Sequence, residues 1–141
     1  MRKIFFLSMV FILPLNCSDN DNDDKTDCSN MACTEIFLSI SVTVKDSSGS
    51  VISLGRFEVT DLTTGEDLTK EVTEGELETF RQNGIYPLYD DLFVAENQNT
   101  TRNIVFKGFI NNKEVVNAEY TVGTDCCHVS LVSGDSDITI D

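Results

Sequence analysis

A chain of 141 residues with 24 acidic and 10 basic side chains has a formal net charge of −14 and room for one compact domain. A surface this acidic is repelled by phosphates, which excludes nucleic acid as a partner and makes anionic lipid headgroups unattractive. Trp is absent and His occurs once, so a metal centre built on several histidines is excluded as well.

Arg2 and Lys3 form a positive start, residues 4–15 form an apolar run, and Cys17 follows where a cleavage site belongs. Crossing a bilayer takes about 20 apolar residues, and this run is interrupted by Ser8 and closed by Pro14. Pro14, Leu15 and Asn16 offer no A-x-A pattern, which points to cleavage directly before the cysteine. Residues 1–16 are therefore expected to be an export signal. Their removal takes away Arg2 and Lys3 and no acid, moving the net charge from −14 to −16.

The stretch Leu13-Pro14-Leu15-Asn16-Cys17 resembles a bacterial lipobox, with Pro14 and Asn16 where leucine and a small residue are usual. The run Ser18-Asp19-Asn20-Asp21-Asn22-Asp23-Asp24 resembles the acidic tag that sends Bacteroidota-type lipoproteins to the outer face of the outer membrane. The resemblance implies diacylglycerol on the Cys17 thiol and a protein held at the cell surface by its lipid alone, each buried CH₂ contributing about 0.8 kcal/mol. Residues 17–32 then form an acidic, extended tether without a core of its own. Asp19, Asp21 and Asp23 also space carboxylates as a calcium loop does, but Asp24 stands at the turn glycine and Asn30 at the bidentate position.

Four cysteines remain beyond Cys17: Cys28, Cys33, Cys126 and Cys127. In an exported chain they are expected to form disulfides, and the sequence leaves three pairings open. A bridge from either of the first two to either of the last two would close about 100 residues and contribute roughly 4 to 5 kcal/mol by loop entropy.

Residues 33–141 read as the folded domain. From 35 to 44 the apolar residues Ile36, Leu38, Ile40, Val42 and Val44 alternate with their neighbours, which predicts a half-buried strand. Turn formers at 45–50 lead into a second strand over 51–60 containing Gly55, and residues 68–72 suggest a short edge strand. Thr73 and Glu76 have capping-box spacing, which predicts one short helix burying Leu77 and Phe80 and stopping at Asn83-Gly84. Pro87 marks residues 85–89 as an edge strand or an irregular segment. Ile104, Phe106 and Ile110 share a parity with Val116, Ala118, Tyr120 and Val122, which demands an odd loop and predicts Asn111-Asn112-Lys113 for it, with Phe106 opposite Ala118. Val129 and Leu131, then Ile138 and Ile140, supply two more strands. About seven short strands and little helix favour a single antiparallel Greek-key β-sandwich.

Val44-Lys45-Asp46 with Gly49, Tyr86-Pro87-Leu88, the run 106–111, Tyr120-Thr121-Val122-Gly123 and Asp125-Cys126-Cys127-His128-Val129 give residues 33–141 a resemblance to the carboxypeptidase-regulatory-like, transthyretin-like modules of bacterial surface lipoproteins. The resemblance implies a non-enzymatic binding or structural module, without a cofactor, whose partner at the cell surface is an unidentified protein or glycan.

One cluster carries possible chemistry. Cys126-Cys127-His128 gathers two thiols and an imidazole, the makings of a nucleophile or a soft-metal site, with Cys28 and Cys33 as further zinc ligands if reduced. On a strand these side chains would alternate and fail to converge, and His128 reads as an exposed strand residue, not as the base of a hydrolase. Asp90-Asp91 and the run Glu74, Glu76, Glu78 read as solvated carboxylates. Tyr86, Tyr89 and Phe37 are the aromatics left for stacking on a sugar, with packing in the core or at a sheet edge as the other reading, and Asn99-Thr100-Thr101 matches a glycosylation sequon only formally.

Overall fold

The computed structural model describes residues 26–141; the leader, Cys17 and the aspartates at 19, 21 and 23 lie outside the described residues. Seven strands and one helix follow in the order β1 (Ser39–Asp46), β2 (Arg56–Asp61), α1 (Glu74–Asn83), β3 (Ile85–Asp90), β4 (Thr100–Ile110), β5 (Lys113–Thr124), β6 (Val129–Ser133) and β7 (Asp137–Ile140). They build a sandwich of a three-stranded sheet, β3-β1-β7, on a four-stranded sheet, β2-β4-β5-β6. The all-β sandwich read from the strand pattern is therefore the fold. It departs from a purely antiparallel sheet in one place, because β7 runs parallel to β1, from Thr43↔Asp137 to Asp46↔Ile140. The direction of β7 is set by the link that carries the chain across from β6, and no local pattern encodes that.

The β4–β5 hairpin has the expected register, with Ile104 opposite Tyr120 and Phe106 opposite Ala118. Its loop is two residues, not three: Asn111 (φ 49°) and Asn112 (φ 63°) are both left-handed, as a type I′ turn requires. The odd residue that parity demands sits instead in a bulge beyond Gly108, where Phe109 faces Glu114 and Val115 is extra. At the other sheet Pro87 lies on edge strand β3, beside a register shift between Ile40 and Ser41, where its missing N–H leaves no gap in the ladder.

Helix α1 has the predicted capping box. Thr73 accepts from the Glu76 N–H, Glu76 accepts from the Thr73 N–H, and Gly84 closes the C-terminus at φ 65°. A side chain at 84 would also meet Val51 Cβ at 2.8 Å, so glycine is required there twice over. Leu77 and Phe80 pack from the helix onto the core, where Phe57, Phe80, Tyr86 and Phe106 form an aromatic cluster with ring centroids 5.9–6.5 Å apart.

Three expected elements are shorter. The first strand begins at Ser39, leaving Ile36, Phe37 and Leu38 exposed on an N-terminal arm; the second begins at Arg56, and residues 68–72 form no strand. In each case the stretch meets a neighbour only through isolated contacts, the Asp91 N–H on the Leu38 carbonyl, a bridge between Lys45 and Val51 and the Leu68 N–H on the Val59 carbonyl, too few to make a ladder.

Candidate functional site

The N-terminal arm, residues 26–38, crosses the end of the sandwich and is held against two short segments, the β5–β6 turn at 125–128 and the single 3₁₀ turn Asp91–Phe93. Two disulfides fasten it: Cys28 to Cys126 and Cys33 to Cys127. Of the three pairings, the one found joins both ends of the domain twice, in parallel. The expected boundary at residue 33 runs between two cysteines bonded to the same dipeptide.

The turn is built by Asp125. Its Oδ1 accepts the N–H groups of Cys127 (2.6 Å) and His128 (2.7 Å), and its backbone N–H donates to the His128 carbonyl. Donation by the Cys127 N–H, then by the His128 N–H, holds the Asp125 carboxyl below its ordinary range. Cys126, Cys127 and His128 thus lie in a bend, not on a strand, and the strand alternation expected to separate them does not apply. Both sulfurs are taken up in disulfides, which removes the thiolate a nucleophile or metal ligand would need. Among the described residues, no group of three His, Cys, Asp or Glu side chains could hold a metal ion.

His128 is not the exposed strand residue expected; its side chain keeps 21% of its surface and both ring nitrogens are engaged. Nδ1 lies 2.8 Å from Asp91 Oδ2, and Nε2 lies 2.9 Å from the Thr34 hydroxyl. Asp91 is equally committed. Its Oδ2 accepts the Leu38 N–H at 2.7 Å, its Oδ1 accepts the Val129 N–H at 2.9 Å, and its own N–H donates to the Leu38 carbonyl. Burial alone would push the Asp91 carboxyl up, but donation from Leu38, His128 and Val129 outweighs it and holds the group below its usual 3.8.

Because its folded value is depressed, the Asp91 carboxylate contributes stability fully above the unfolded value near 4, and that contribution is lost as pH falls through the folded value. Asp91→Asn is expected to cost about 2 kcal/mol at pH 7, the scale of hydrogen bonds to a charged group. It should also flatten the decline in urea midpoint between pH 5 and pH 2; an unchanged acid limb would assign that decline to other carboxylates.

The remaining candidates are placed elsewhere. Asp90, read as solvated, is buried, paired with Lys70 at 2.9 Å, and caps the 3₁₀ turn. Glu76 belongs to the capping box, and Glu74 and Glu78 flank Arg81 on the exposed face of α1. Tyr86 and Tyr89 are core residues: the Tyr86 hydroxyl accepts from the Leu54 N–H and donates to the Ile52 carbonyl, while Tyr89 stacks on Phe93 at 4.6 Å. Neither can stack on a sugar, and Phe37 alone of the three is exposed, at 54%. The Asn99 amide donates to the Thr26 carbonyl at 2.8 Å and so also holds the arm.

The sequence reading missed Thr34 and the Asp91–His128 contact. Their signal was present but conditional, since Thr34 follows Cys33 and His128 follows Cys127; once those cysteines are joined, their successors are neighbours. Comparison with protein-family models, with curated proteins and with solved structures finds no match for this chain.

Proposed function

We propose that this protein is a lipid-anchored β-sandwich of the outer membrane, facing outward, fixed through Cys17 and acting as a binding or structural module of the carboxypeptidase-regulatory-like kind. The observation that carries the reading is the double clamp Cys28–Cys126 and Cys33–Cys127, set where the tether meets the domain. Disulfides persist in oxidising compartments, in keeping with export. A pull on an anchor at Cys17 would pass through Cys28 and Cys33 into the β5–β6 turn and so into the sheet, without peeling the arm from the sandwich. The exposed run Ile36, Phe37 and Leu38 is bonded through Leu38 to the Asp91 turn, next to Leu92 at 72% exposure. This is apolar surface of the kind that a protein partner covers.

The test is a non-reducing intact mass of the protein extracted from native membranes. The expected spectrum has an acylated Cys17 and four oxidised cysteines. A chain bearing no acyl group would overturn the anchor, and four free thiols would overturn the clamp.

A further inference from the structure

The geometry points to an acyl-transfer site at Thr34, in which His128 is the base and Asp91 its positioning residue, acting on activated aryl esters. It goes beyond the tethered module and against the expectation that the chain is no enzyme. A triad needs only one histidine, so the single imidazole of this sequence suffices.

Three observations carry it. The Thr34 hydroxyl, His128 and Asp91 stand in line at 2.9 and 2.8 Å, the spacing at which a base takes a hydroxyl proton. The Asp91 carboxylate is itself held by the Leu38 and Val129 N–H groups, so Oδ2 is aimed at Nδ1. That contact places the ring proton on Nδ1 and leaves the Nε2 lone pair facing the hydroxyl. Finally, the Cys33–Cys127 disulfide joins the residues preceding Thr34 and His128, fixing hydroxyl and base relative to each other while Thr34 stays exposed to an incoming acyl donor.

The reaction runs in two steps. Thr34 Oγ1 attacks the ester carbonyl as its proton passes to Nε2; the C–O bond to the leaving group then breaks, and the departing phenoxide takes that proton. Water, deprotonated by Nε2, attacks the acyl-Thr34 ester, releasing the carboxylic acid and restoring the hydroxyl. The substrate class follows from the turn. The Cys127 and His128 N–H groups are bound to Asp125 and cannot stabilise an oxyanion, so the leaving group must be a good one.

The probe is p-nitrophenyl acetate on the oxidised domain, read by p-nitrophenol release and by intact and peptide mass. The expected result is an acetyl group on Thr34 and a rate that Thr34→Ala lowers at least about a hundredfold, the lower end of general-base effects. Thr34→Ser should retain the adduct, and His128→Asn should lose it. Thr34 is exposed, so its alanine variant keeps the fold. Acetylation confined to lysines, or a Thr34→Ala rate equal to the parent's, would overturn the proposal while leaving the lipid anchor untouched.

Discussion

Replacing all four clamp cysteines by alanine is expected to destabilise the domain by about 7 kcal/mol, a large part of the about 5–15 kcal/mol that domains of this size hold. Removing either bridge alone should cost only about 2 to 3 kcal/mol. The reason is nesting. The two disulfides span 98 and 94 residues, but once one is closed the other closes only the small ring through 28–33 and 126–127. In the unfolded chain the first bridge removes about two-thirds of the loop entropy and the second about a third, whichever is counted first. Urea unfolding of Cys28→Ala/Cys126→Ala, Cys33→Ala/Cys127→Ala and the quadruple variant measures this directly. Single losses that simply add up to the full effect would show that native contacts of the arm, and not loop entropy, carry the stabilisation.

Phe106→Ala should be the most damaging single truncation in the core, costing about 3 to 5 kcal/mol. The ring is fully buried, stacks on Phe57 at 6.0 Å and 15°, and meets Tyr86 at 6.3 Å, so its removal leaves a cavity bounded by both sheets. Strand β4, which carries the ring, is locked in ladders on both sides and cannot shift to fill it. Phe37→Ala removes an equal ring from a half-exposed position and should shift stability by less than about 0.5 kcal/mol. A small loss of urea midpoint for Phe106→Ala would mean that the aromatic cluster repacks around the void.

Much of the sandwich was legible because its signals are local. Parity along β4 and β5 sets the facing pairs, since slipping one residue would turn Phe106 and Tyr120 to solvent. Thr73 and Glu76 specify where α1 begins, and Pro87 could only be accommodated at an edge. Parity, however, constrains only the sum of loop and bulge, which is why a three-residue loop was expected where a two-residue turn and a bulge at Val115 do the same work.

The sequence by itself determined the fold class, most of the strands, the helix cap and the register of the central hairpin, because each depends on residues a few positions apart. Tertiary structure alone decided the parallel docking of β7, the burial of Tyr86 and Tyr89, the pairing of the cysteines and the meeting of Thr34, His128 and Asp91. Those depend largely on contacts between distant segments, 37 residues apart from Asp91 to His128 and 98 from Cys28 to Cys126, and no local periodicity encodes which segments the closed sandwich brings together.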